Sequence, residues 1–157
     1  MQDIQALTTL LEHATTHRDH AQATLQRAIA AAQAAQTQAV QLVGYRGEYE
    51  RRFGAQFRQG SAIELVHCYH GFMGRLDHAV KYQDSVSTRA QSQVESAREL
   101  LMECELRVAS VRKLIERRQA EAALAAHRRE QKASDEFASR QAWQRQAQGG
   151  GAFAIAP

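Results

Sequence analysis

The stretch Phe53-Gly54-Ala-Gln-Phe57-Arg-Gln-Gly60-Ser61-Ala-Ile-Glu64 is the single interruption in a seven-residue apolar repeat. Upstream of it, one stripe carries Leu7, Leu11, Ala14, Arg18, Ala21, Leu25, Ala28, Ala32, Ala35, Ala39, Leu42, Arg46, Tyr49 and Phe53 in alternating steps of four and three. Downstream the stripe resumes at Tyr69, Met73, Leu76, Val80, Gln83, Ser87, Ala90, Val94, Ala97, Leu101, Cys104, Val108, Val111, Ile115, Arg118, Ala122 and Ala125. An apolar period of about 3.5 residues is that of helices packed side by side. Two such arrays with one break predict an all-α fold, a long antiparallel two-helix coiled-coil hairpin with a longer second helix. A hairpin of this kind encloses no cavity for catalysis, so its function lies on its outer faces and ends.

Glycine at each end of the break places the turn at 54–60. Asp3 is the expected N-cap of the first helix, which then spans about 3–53. The second helix spans about 61–148, opened by a capping box at Ser61-Ala-Ile-Glu64. Residues 1–148 read as one domain, followed by a disordered Gly-rich tail at 149–157. A fold-back near residue 57 makes facing positions sum to about 115, so residues beyond about 116 have no partner helix. That overhang keeps an apolar stripe of Ala122, Leu124, Ala125 and Phe137 for an outside partner to cover.

Composition agrees with a thin seam. The sole proline is the last residue and aromatic residues make up only 6 %, too few for a globular core of this length. The formal charge of +3 arises from Arg interleaved with acids, the pattern of a solvated helix surface rather than a nucleic-acid footprint. Cys68 and Cys104 lie far apart along one helix and read as small apolar fillers in a reducing compartment. No apolar run reaches the roughly 20 residues of a transmembrane helix, so no direct membrane insertion is expected.

No catalytic constellation is present: no phosphate loop, no His-Glu-x-x-His and no paired acids in a pocket, so no enzyme activity and no cofactor are expected. His13, His17 and His20 share a helix face but lie off the seam with no carboxylate support, and read as exposed polar side chains rather than metal ligands. His67 and His70 read the same way.

A more informative cluster is aromatic. Tyr45 sits between Gly44 and Gly47, and Phe72 between Gly71 and Gly74, each just beside its seam. With facing positions summing to about 115, the two glycine pairs meet at one level. Glycine within a helix costs about 1 kcal/mol relative to alanine. Two such pairs point to close helix approach or to a partner that comes near the backbone, with Ala79 extending the face.

Three segments in order carry a family resemblance: Leu42-x-x-Tyr45-x-x-Glu48-Tyr49, then Phe72-x-x-x-Leu76-x-x-Ala79, then Arg117-x-Gln119 through Leu124 to Glu130-Gln-Lys132-x-x-Asp135-Glu-Phe137-Ala. Over roughly residues 1–145 the chain resembles the FliJ family of flagellar type III export proteins. The resemblance implies a stalk that binds the ring of the flagellar export ATPase, contacts the cytoplasmic domain of the export gate, and escorts flagellar export chaperones. It implies a gate-binding patch on Gln38, Leu42, Tyr45, Tyr49, Phe72, Leu76, Ala79 and Gln83. Well-known members carry histidine where this chain has Gln83, so a hydrogen-bonding role carries over and a proton-sensitive one does not. The ATPase contact is assigned to Arg117, Arg118, Leu124, Arg128 and Phe137. The implied location is cytoplasmic, peripheral at the cytoplasmic face of the inner membrane. The competing readings are an inert coiled-coil scaffold or homodimeric adaptor, and a basic nucleic-acid-associated rod.

Overall fold

The structure, a computed structural model, describes residues 2–150. It contains two helices, α1 (Gln2–Arg58) and α2 (Ile63–Gly149), an all-α helical hairpin. Residues 151–157, most of the expected tail, lie outside the described residues.

Every seam residue predicted on α1 is buried or half-buried, and so is every one on α2 from Tyr69 to Ile115. The buried side chains are mostly small, Ala14, Ala21, Ala35, Val94, Ala97, Val108 and Val111, with Leu25 and Met73 the larger ones among them. Leu25, Val94 and Ala97 form the tightest cluster, with Ala28, Ile29, Ala32 and Leu101 against them. No described polar side chain is buried. Alanine and valine let the helix backbones approach closely, and each alanine also carries the highest helix propensity.

The turn differs from the sequence expectation. α1 continues through Gly54 to Arg58, past the expected end at Phe53. The helix closes where Gln59 N–H donates to Gln56 O (3.1 Å) and Gly60 N–H to Phe57 O (3.2 Å). Gly60 has φ of +90°, the left-handed conformation that ends a helix and favours glycine. Gly54 does not stop the helix because one glycine costs only about 1 kcal/mol. Continuing instead brings the Phe57 ring to 5.2 Å from Tyr69 and 5.9 Å from Phe53. Covering a side chain of that size contributes about 1.5–3 kcal/mol when complete.

Nor does the capping box form. Ala62 O accepts from Leu65 N–H and Val66 N–H, so Ala62 caps α2, while Ser61 Oγ donates back to Gln56 O of α1 (3.5 Å). Asp3 lies within the first turn of α1, where its charge complements the helix dipole.

These shifts change the register. Tyr49 packs on Phe72 and Phe53 on Tyr69, so facing positions sum to about 121, not 115. Gly44 is therefore level with about Asp77, and Gly71 with about Glu50. Gly47 is level with Gly74, while Gly44 and Gly71 lie about one turn to either side, so only one glycine of each pair meets the other. A Cβ added at Gly44, Gly47, Gly71 or Gly74 would meet no atom within 4 Å, so close helix approach is not their role.

The chain divides into two compact units. Glu12–Val108 forms one, containing the turn, the aromatic cluster and the Leu25–Val94–Ala97 core. The other combines residues 2–11 with α2 from Ala109 onward. In that unit Val111 is buried, and Ile4, Leu7, Leu11 and Ile115 are half-buried. Every described residue from Glu116 to Gly150 is exposed.

Candidate interaction surfaces

Within the Glu12–Val108 unit the seam leaves two flanks, and seven-residue steps trace them. One flank carries Thr24, Ala31, Gln38 and Tyr45 on α1 and Phe72, Ala79, Val86, Gln93 and Leu100 on α2. The other carries Ile29, Gln36, Val43 and Glu50 opposite Asp77, Asp84, Gln91 and Arg98.

The second flank is tied together by polar contacts. Arg46, a seam position, pairs with Asp77 across the hairpin and lies 3.6 Å from Glu50 on its own helix. The hydrogen bond and charge of Asp77 hold the Arg46 guanidinium above the ordinary arginine value. Ser87 Oγ donates to Gln36 Oε1 (2.9 Å). The heptad breaks on α2 are thus partnered, and Gln83 likewise donates from Nε2 to Ala35 O (3.0 Å). Polar groups at such positions fix which turns of two helices lie level, because a slipped register leaves them unmatched.

The first flank holds the aromatic patch. The eight residues Gln38, Leu42, Tyr45, Tyr49, Phe72, Leu76, Ala79 and Gln83 fall into four levels, 38 with 83, 42 with 79, 45 with 76 and 49 with 72, each consistent with the observed register. They divide by role. Leu42, Tyr49, Leu76 and Gln83 are half-buried in the seam. Tyr49 meets Phe72 edge to face with ring centroids 5.0 Å apart. Phe72 and Ala79 are half-buried, while Gln38 is exposed and Tyr45 is 53 % exposed. Tyr45 stands between the levels of Phe72 and Ala79, an exposed ring beside half-covered apolar groups. That arrangement suits docking of a largely apolar partner surface over the ring, with the Tyr45 hydroxyl at the edge of the contact where water or a partner group can bond it. The glycines at 44, 47, 71 and 74 add open backbone around this level.

Sequence reading missed Phe57, which completes a ring stack with Phe53 and Tyr69 at the turn. Its signal was present: Phe57 follows Phe53 by one helical turn once Gly54 is read as helical. Cys68 is exposed, which corrects its reading as an apolar filler, while Cys104 is half-buried at the seam. The correction follows from position, because Cys68 lies one residue before seam residue Tyr69. His13 and His17 are exposed, with Nε2 atoms 3.2 Å apart. Among the described residues no three metal-type side chains converge, and no described helix is long and apolar enough to cross a membrane.

In the other unit, Arg117, Arg118, Leu124, Arg128 and Phe137 are all exposed. Arg118 lies 3.8 Å from Glu121, and Lys113 lies 3.4 Å from Glu116, both pairs one turn apart. Leu124 and Phe137 are thirteen residues apart, which at about 100° per residue puts them on different faces. They do not form one stripe. Trp143, missing from the expected set, is 77 % exposed and lines a shallow groove of about 390 Å³ with Ser139, Arg140 and Gln144. It is the chain's one tryptophan, in a helix segment otherwise polar or small, and that isolation was its signal.

The model of a family described as flagellar FliJ protein matches residues 2–147. No curated protein and no solved structure matches the chain. A match over nearly the whole chain, on a helical hairpin with a partnered seam, makes this protein a member of the flagellar FliJ protein family, a component of the flagellar protein export apparatus.

Proposed function

We propose that the protein is a non-enzymatic stalk of the export apparatus that binds the export ATPase ring, contacts the cytoplasmic domain of the export gate, and escorts export chaperones. The observation that carries the proposal is the division of labour on α1 and α2: one stretch of seam is covered, whereas every described residue from Glu116 onward is exposed. An isolated helix of that length, about 50 Å for residues 116–149, gains its stability from a partner. In this reading Arg117, Arg118, Leu124, Arg128 and Phe137 contact the ATPase, with Trp143 beside them. Tyr45, Phe72, Ala79 and Gln38 meet the gate, supported from behind by Leu42, Tyr49, Leu76 and Gln83. The mechanism is differential contact. A shaft whose faces differ binds the subunits of a ring unequally and so biases their states. The site of action is the cytoplasmic face of the inner membrane, reached through protein partners.

Deleting residues 117–157 tests the ATPase contact. The proposal expects stimulation of export ATPase turnover to vanish, and retained stimulation overturns it.

A further inference from the structure

The flank that carries Tyr45 does not end at Gln38. One heptad and two heptads further along α1 stand Ala31 and Thr24, and on α2 Gln93 and Leu100. There the flank opens into a groove of about 540 Å³ whose floor is Ala28 and Ala97 and whose apolar wall includes half-exposed Leu100. The opposite flank at the same level has a smaller groove of about 340 Å³, crowded with Gln33, Gln36, Ser87, Gln91 and Arg98. Alanine on the floor lets another backbone approach closely, as small residues do wherever helices cross at short distance. A straight, apolar, small-floored channel between two packed helices has the form of the third position in a three-helix coiled coil.

Charge selects the occupant. Arg27 is the one charged residue lining the groove, its guanidinium held over the rim by a bond from Nη2 to Thr24 Oγ1 (3.4 Å). On the α2 rim the row of Ser96 carries Arg89 one heptad one way and Glu103 one heptad the other, both exposed, so this rim has no net charge. No acid lines the groove. A helix lying there sets one edge against Arg27 of α1, so an acidic residue is favoured on that edge and a basic one repelled. The exposed part of α2 in a second copy fits poorly, because from Glu116 to Gly149 it carries seven Arg or Lys against five Asp or Glu.

We infer that the groove between Thr24–Ala31 and Gln93–Leu100 docks an amphipathic helix from a partner protein, its acidic edge against Arg27 of α1, as a third helix of the coiled coil. This site goes beyond the gate and ATPase contacts proposed above, and lies two to three heptads from Tyr45 along α1.

Two synthetic helical peptides of about three heptads serve as probes, identical in their Leu/Ala stripe, one with Glu and one with Lys at the edge positions. Binding to the full chain is read by fluorescence anisotropy. The Glu-edged peptide should bind at least about ten-fold tighter than the Lys-edged one, with the difference shrinking as salt rises. Arg27→Glu should reverse the preference, and Ala31→Glu should weaken the Glu-edged peptide at least about ten-fold while far-UV helicity is kept. Gln36→Glu, on the other flank, and Tyr45→Ala should each change it less than about two-fold. Equal binding of both peptides, or equal loss with Gln36→Glu, overturns the inference. Sedimentation showing a dimer that Ala31→Glu dissociates overturns it in favour of a second copy. Loss with Tyr45→Ala assigns the peptide to the aromatic level and also overturns it, whereas failure of the gate contact alone leaves peptide binding intact.

Discussion

The two flanks of the Glu12–Val108 hairpin share one seam yet differ in chemistry. One is uncharged along these rows, with Phe72, Ala79, Val86 and Leu100 interrupted only by Gln93 on α2, and an exposed tyrosine on α1; the other is laced by Arg46–Asp77 and Ser87–Gln36. A helix of alternating steps cannot distinguish its two sides by period alone, so the difference resides in the residues just beside the seam. It shows how two helices packed along one seam can still have a front and a back. Polar contacts hold register on one side and leave the other side uncommitted.

Several substitutions probe that comparison. The seam beneath both flanks should dominate stability. Leu25→Ala, in the core cluster, should cost about 2–3 kcal/mol in urea unfolding, far more than any exposed flank change. Should flank substitutions cost as much, the seam would not be what holds the hairpin. On the apolar flank, Tyr45→Ala should weaken binding to the export-gate domain about ten-fold or more with unchanged helicity and near-unchanged stability. Phe72→Ala should weaken both binding and stability, because its ring also packs on Tyr49. Gate binding that survives Tyr45→Ala removes the patch assignment.

Gln83→Ala should cost about 1 kcal/mol through loss of the bond to Ala35 O. Gly44→Ala and Gly74→Ala should each stabilise the free chain by up to about 1 kcal/mol, since the added methyl meets no neighbour. If either also weakens the gate complex, the partner approaches the backbone there; if neither does, these glycines serve no contact. The smallest effect belongs to the polar flank. Asp77→Asn should lower stability slightly, and less so in high salt, because both side chains of the pair are partly solvated. The raised proton affinity of Arg46 adds stability that is fully present below the ordinary arginine value and lost only above it. This pair therefore imposes no slope on stability between neutral and mildly alkaline pH.

Much of this was legible in the chain. The seam was readable residue by residue, because a seven-residue period leaves only one set of positions able to face a second helix. Arg18, Arg46, Gln83 and Ser87 stood out as its polar breaks. What the breaks do was not legible: Gln83 looks like an exposed patch residue until Ala35 O is placed beside it. Gly54 looked like a stop, yet the ring stack of Phe57 on Tyr69 outweighs a single glycine, and that stack requires residues from both helices. Moving the turn moved every facing pair, which is why Gly44 and Gly71 seemed to meet and do not, while Gly47 comes level with Gly74.

Sequence alone determined that this protein is two helices with a thin alanine-rich seam, since helix period and propensity are local properties. Tertiary structure alone decided the register and the separation of an apolar flank from a polar one. Those depend on where the chain reverses and on which groups then lie level, a balance of packing and cross-hairpin bonds between residues far apart in the chain.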